Sequence, residues 1–79
     1  MIDLTGYRVV VTGGSRGIGA ACCRLFARAG ATVLVQYLAS GVKANALLTE
    51  LRRHGDRPHR KMRCDVTRPE HVQRLFHFV

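Results

Sequence analysis

A glycine-rich segment near the N-terminus constrains the fold of this 79-residue chain more than any other feature. It runs from Gly13 to Gly19 and joins two stretches of opposite character. Residues 7–12, before it, form a β-branched run without clean alternation, which is typical of a strand buried on both faces of a parallel sheet. The residues after it repeat apolar side chains with helical spacing. A strand, a tight glycine turn and a helix are therefore predicted in that order.

Apolar spacing predicts the remaining elements. The first helix is expected to end at Gly30 and to bury one stripe. That stripe consists of Ile18, Cys22, Leu25 and Ala29. Residues 31–37 predict a second buried strand. A second helix is expected to end near Gly55, with an apolar face made of Ala44, Leu47, Leu48 and Leu51.

The last part of the chain predicts a third strand over residues 59–64 and a third helix after it. Thr67-Arg68-Pro69-Glu70 has the pattern of a capping box with proline in the first helical turn. The apolar face of this helix is expected to contain Val72, Leu75, Phe76 and Val79. The order β-α-β-α-β-α, with short connections, predicts an α/β, Rossmann-type, three-layer arrangement around a parallel sheet.

The net charge of +8 is unevenly distributed. Residues 52–63 hold six Lys and Arg side chains against Asp56. A basic run of this kind is usually a solvated surface, and no aromatic residue interleaves with it to stack on bases. The run therefore argues against nucleic acid as a partner.

Composition and cysteine spacing argue against a membrane protein, a secreted protein, a disulfide framework and a metal site. No apolar run approaches the roughly 20 residues of a membrane helix, and the first residues do not resemble a secretory signal. Cys22, Cys23 and Cys64 fit neither a disulfide framework nor a zinc site, and the histidines supply no metal set. We expect no metal site, no membrane partner and a cytoplasmic chain with reduced thiols.

The glycine segment carries a resemblance to a known family. Its spacing fits neither G-x-G-x-x-G nor the phosphate-binding P-loop. Residues 12–19, Thr-Gly-Gly-Ser-Arg-Gly-Ile-Gly, instead resemble the TGxxxGIG motif of the short-chain dehydrogenase/reductase family, especially its 3-oxoacyl-carrier-protein-reductase-like members. Asp65-Val66, after the third strand, resembles the family's second cofactor motif. The resemblance extends over residues 1–79, interpreted as one N-terminal dinucleotide-binding portion and an incomplete half of a doubly wound sheet.

The resemblance implies a dinucleotide cofactor and a set of residues that bind it. Asp65 is expected to hydrogen-bond the adenine amino group, and Val66 to present its backbone to the ring. No acidic residue follows the second strand at Gln36-Tyr37, which favours NADP(H) over NAD(H). Arg16 could hold the additional phosphate, with Ser40 as a further donor. The expected cofactor-binding residues are Gly13, Ser15, Arg16, Gly17, Ile18, Gly19, Tyr37, Ser40, Asp65 and Val66.

The resemblance also implies hydride transfer between the nicotinamide and a carbonyl or alcohol, but no catalytic residue is assigned here. The family's Ser–Tyr–Lys set is absent, since neither Tyr7 nor Tyr37 is followed by lysine four residues later. These residues alone are therefore expected to be inactive. The open edge of the first strand would be covered by a missing C-terminal half or a partner chain. The alternative is a stand-alone, non-enzymatic module that binds a nucleotide or nucleic acid.

Overall fold

The computed structural model describes residues 3–14, 17–39, 41–53, 55 and 57–78, apart from the side chains of Phe76 and Phe78. Strands and helices alternate along these residues, which confirms the predicted order. The elements are β1 (Arg8–Val11), α1 (Gly17–Arg28), β2 (Thr32–Tyr37), α2 (Gly41–Arg52), β3 (Arg60–Arg63) and α3 (Pro69–Phe78).

The three strands form one parallel sheet in the order β1-β2-β3. The central strand β2 pairs with β1 through Val10 and Leu34, and with β3 through Leu34 and Arg60. Its residues 33–36 are buried. In β1, by contrast, Arg8 is exposed and residues 9–11 are only half-buried, so the prediction of a strand buried on both faces is wrong. β1 lies at one edge of the described sheet, where its side chains reach only the margins of the core.

Helices cover both faces of the sheet, which confirms the three-layer α/β class. One core cluster joins α1 and α2 to β2 through Ala20, Cys23, Val33, Val35, Leu47 and Leu51. The other joins β2 to α3 through Leu34, Cys64 and Leu75. Alternate residues of β2 therefore pack on opposite layers, as the pleat of a strand requires.

Helix α1 ends as predicted but buries a different face. The Gly30 amide donates to the Ala27 carbonyl at 3.1 Å and the Ala31 amide to the Phe26 carbonyl at 3.1 Å. These two bonds form a Schellman ending with Gly30 at its C′ position. The predicted core stripe is wrong, because Ile18 and Leu25 are exposed while Cys22 and Ala29 are only half-buried. The buried residues of α1 are instead Ala20 and Cys23, which face β2 and α2.

Helix α2 buries all four residues of its predicted stripe, although it ends at Arg52 rather than near Gly55. Helix α3 begins at Pro69, as the proline indicates, but without the predicted capping box. Thr67 lies before the helix, and its hydroxyl donates to Asp65 Oδ1 at 2.6 Å. The first turn is closed by the His71 and Val72 amides, which donate to the Arg68 carbonyl. Of the predicted α3 face, Leu75 is buried and Val72 half-buried, while the Phe76 side chain and Val79 lie outside the described residues.

Candidate functional site

The carboxyl ends of the three strands meet at one edge of the sheet and form a cleft of about 580 Å³. Three segments supply its walls, each following a different strand. They contribute Thr12 and Gly13 after β1, Gln36 to Ala39 at the end of β2, and Cys64 to Thr67 after β3. In open parallel sheets with helices on both faces, ligands bind at the carboxyl ends of the strands. The position of the cleft makes it the candidate binding site.

The glycines of the first segment have two different physical roles. Gly13 and Gly17 have positive φ angles of 63° and 60°, which L side chains rarely adopt, and a Cβ at either would point into open space. Gly19 is required by packing, since a Cβ there would collide with the Gly13 carbonyl oxygen and lie 2.9 Å from Gly14 Cα. The start of α1 can therefore lie directly against the chain that leaves β1.

Gln36 connects the first and third segments through its side-chain amide. Its Oε1 accepts a hydrogen bond from the Gly13 amide at 2.7 Å, and its Nε2 donates to the Cys64 carbonyl. The Gln36 carbonyl also accepts from the Gly14 amide at 3.0 Å. The side chain is buried, so one residue of β2 holds both flanking segments from inside the sheet.

Asp65 organises the turn between β3 and α3. Its Oδ1 accepts hydrogen bonds from the Thr67 hydroxyl at 2.6 Å and the Thr67 amide at 2.9 Å. These two bonds are the main reason that the pKa of the Asp65 carboxyl is lowered, with a smaller contribution from Arg68. The Asp65 amide donates to His71 Nδ1 at 3.0 Å, which ties the turn to α3. The carboxyl is therefore a negatively charged acceptor at neutral pH.

The end of β2 is held by two cations from β3. Lys61 Nζ lies 5.7 Å from the centre of the Tyr37 ring, within reach of a cation–π interaction. Arg63 Nε donates to the Leu38 carbonyl at 3.1 Å. Residues 37–39, which line this wall of the cleft, include no acidic side chain. The wall therefore offers no carboxylate to a ligand.

The predicted site residues fall into three groups. Gly13, Tyr37, Asp65 and Val66 line the cleft. Gly17, Ile18 and Gly19 form the first turn of α1, and Ile18 is 85% exposed. Ser15, Arg16 and Ser40 lie outside the described residues.

Sequence reasoning missed the connecting role of Gln36. A signal was available, because an amide at the end of the buried run Val33–Gln36 must find hydrogen-bond partners or lose stability. The identity of those partners depends on which loops flank the strand in space, which the order of residues does not give.

Several cations of the basic run at residues 52–63 contact other groups of the same chain. Besides Lys61 and Arg63, Arg52 donates to the His59 carbonyl at 3.2 Å. Arg60 lines a second cleft of about 310 Å³ with Leu34, Lys61, Met62, Arg74 and His77.

Among the described residues, no helix is long and apolar enough to cross a membrane.

Comparison with known proteins agrees with this geometry. The family model described as short chain dehydrogenase matches residues 7–79. L-rhamnose 1-dehydrogenase (NADP(+)) of Thermoplasma acidophilum is 36% identical over 69 residues, which are 87% of this chain and 27% of that protein.

Solved structures match equally well. A short chain dehydrogenase from Burkholderia cenocepacia in complex with NADP superimposes with a TM-score of 0.88 at 36% identity, over 95% of this chain and 30% of that one. The Pseudomonas aeruginosa RhlG/NADP complex gives 0.78 at 29% identity, over 96% and 28%. The chain therefore spans less than a third of the length of these relatives. On the match over residues 7–79, this chain belongs to the short-chain dehydrogenase family.

Proposed function

We propose that this chain is the dinucleotide-binding portion, residues 1–79, of an NADP(H)-dependent oxidoreductase. The observation that carries the proposal is the shared cleft, in which the glycine segment after β1 and the Asp65-Val66 segment after β3 line one cavity. Both segments were predicted as cofactor-binding from the sequence. Family membership supports a nicotinamide dinucleotide as the ligand.

In this proposal the glycine segment holds the pyrophosphate. Amides at the start of α1 and the positive end of the helix dipole favour an anion. Gly13 and Gly17 leave open space where a side chain would otherwise stand, so a phosphate can approach the backbone. Ser15, Ile18 and Gly19 complete this part of the proposed site.

Asp65 and Val66 are proposed to bind the adenine ring. Oδ1 of Asp65 is occupied by Thr67, which leaves Oδ2, 3.7 Å from Arg68 Nε, as the acceptor for the adenine amino group. The lowered pKa of the carboxyl keeps that acceptor charged at neutral pH. Val66 is 51% exposed and lines the same cleft, which suits a residue that presents its backbone to the ring.

The preference for NADP(H) is proposed to depend on the end of β2. An NAD-specific site places a carboxylate on the ribose 2′-hydroxyl, and residues 37–39 have none. Gln36 cannot replace it, because its amide is buried and bonded to the backbone. Arg16, Tyr37 and Ser40 are the residues proposed to face the 2′-phosphate. Relatives named with NADP support this choice.

The bound cofactor would supply a hydride acceptor or donor for a carbonyl or alcohol substrate. These 79 residues are proposed to bind the dinucleotide without catalysing that transfer. Further sequence or a partner chain would cover the β1 edge and supply the reacting groups. The cytoplasm is the proposed location, supported by three cysteines that form no disulfide.

A fluorescence titration tests the proposal. NADPH and NADH are added to the purified chain, and to the variants Arg16→Ala and Arg28→Ala. Arg28 is an exposed cation at the far end of α1, so its removal is a control for net charge. We expect tighter binding of NADPH than of NADH, and a loss of that difference in Arg16→Ala only. Absence of saturable binding of either nucleotide would refute the proposed function.

A further inference from the structure

Gln36 has a position that core packing alone does not explain. Its side chain is 5% exposed and lies in the central strand, directly after the buried apolar residues Val33, Leu34 and Val35. Burying a primary amide is unfavourable unless its polar atoms are bonded, and an apolar side chain would avoid that requirement. Both polar atoms of Gln36 are bonded, and both partners belong to segments that line the cleft.

The two partners lie on opposite sides of β2. The Gly13 amide belongs to the segment that leaves β1, and it donates to Oε1 at 2.7 Å. The Cys64 carbonyl lies one residue before Asp65, and it accepts from Nε2. The backbone provides parallel links, since the Gly14 amide donates to the Gln36 carbonyl and the Cys64 amide to the Tyr37 carbonyl. The side chain thus extends the sheet's hydrogen bonding one step beyond the last strand residues.

We infer that Gln36 is a positioning residue that fixes the distance between the two parts of the dinucleotide site. The inference rests on the proposed function, since the segments it joins are those assigned to pyrophosphate and adenine. A dinucleotide that contacts both segments requires a fixed distance between them, because misplacing a group that positions a ligand by about 1 Å has a large effect. Gln36 acts through these two segments, because its own amide is buried and engaged.

Two substitutions separate this role from a general contribution to stability. Gln36→Met keeps a long unbranched side chain and removes both hydrogen bonds. Gln36→Glu keeps an acceptor for the Gly13 amide, but its ionised form repels the Cys64 carbonyl. When that carboxyl is protonated, it can donate to the carbonyl again. Val33→Ala is the control, since it opens a cavity in the same buried strand, in the apolar cluster shared with α1 and α2, and retains both side-chain hydrogen bonds of Gln36.

The readout is the dissociation constant for NADPH, measured well below each variant's melting temperature. We expect Gln36→Met to weaken binding by about tenfold or more, and Val33→Ala to leave it within about twofold. We expect Gln36→Glu to be weak at pH 8 and to recover toward the wild-type value, measured at the same pH, as the pH falls to 5.5. Wild-type affinity in Gln36→Met, or an equal loss in Val33→Ala, would overturn the inference.

Amide hydrogen exchange separates this inference from the proposed function. If the wild-type chain binds no NADPH, the proposed function fails. The role of Gln36 is then tested by the hydrogen-exchange rate of the Gly13 amide. Exchange at Gly13 at least tenfold faster in Gln36→Met than in Val33→Ala would retain Gln36 as the link between the segments. Equal exchange in the two variants would reject it.

Discussion

Replacing Gly19 with alanine tests the close approach of α1 to the glycine segment. Gly19 lies in the first turn of α1, directly over the chain that leaves β1. An added Cβ would collide with the Gly13 carbonyl oxygen, and would lie 2.9 Å from both the Gly13 carbonyl carbon and Gly14 Cα. All three atoms are backbone, so no side chain can rotate away.

Two effects of opposite sign determine the result. Alanine is a better helix former than glycine by up to about 1 kcal/mol, which alone would stabilise the chain. Overpacking costs about 1–3 kcal/mol, and a rigid backbone contact belongs at the upper end of that range. We therefore expect a net loss of about 1–2 kcal/mol in the free energy of unfolding. For a domain of this size that corresponds to a melting temperature lower by roughly 5–15 °C.

Thermal and urea unfolding followed by circular dichroism measure this change. Ala21→Gly is the matched control, because Ala21 is exposed in the same helix and the reverse substitution there reports helix propensity alone. We expect that control to lose about 1 kcal/mol. A melting temperature of Gly19→Ala equal to or above that of the wild type would refute the close contact.

Two further predictions concern buried titratable groups. His59 accepts a hydrogen bond from the Val33 amide at Nδ1, and burial, aided by Arg52 and Arg57, lowers its pKa below the usual 6.5. The unfolded chain then binds more protons than the folded chain, so the free energy of unfolding should fall as the pH drops below about 6.5. When this free energy is measured by urea unfolding at several pH values, it should decrease less steeply with falling pH in His59→Asn than in the wild type. An equal pH dependence in the two proteins would contradict this. Burial raises the pKa of the Cys23 thiol to about 11, whereas Cys22 is half-buried. Iodoacetamide at pH 8 should therefore modify Cys22 well before Cys23, as measured by tandem mass spectrometry. Equal modification of the two cysteines would be inconsistent with the packing.

The sequence predicted those features that depend on local spacing. The α2 stripe, the Gly30 helix end and the burial of β2 follow from residues that are neighbours along one element. The α1 stripe was predicted wrongly because α1 is apolar around much of its circumference, and its packing partners decide which side is buried. Ala20 and Cys23 contact β2 and α2, so Ile18 and Leu25 remain exposed.

In the candidate site, too, some features were predicted from the sequence and others depended on the three-dimensional arrangement. The two motifs predicted that residues 12–19 and Asp65-Val66 belong together, and the structure brings Gly13 and Asp65 into one cleft. The capping box at residues 67–70 was wrong because the helix begins at Pro69, and Thr67 lies before it in a turn in which its amide and hydroxyl both donate to Asp65 Oδ1. Which residue begins the helix depends on the geometry of that turn, which the residue pattern alone does not specify.

Nuclear magnetic resonance on the isotopically labelled chain tests the central claim most directly. NADPH is titrated while the backbone amide shifts are followed at both clefts. We predict saturable shifts at Gly13, Tyr37 and Val66, which line the cleft at the carboxyl ends of the strands. Arg60 and His77 line the second, basic cleft and should not shift. Shifts confined to those two residues, or no saturable shifts at the first cleft, would contradict the assignment.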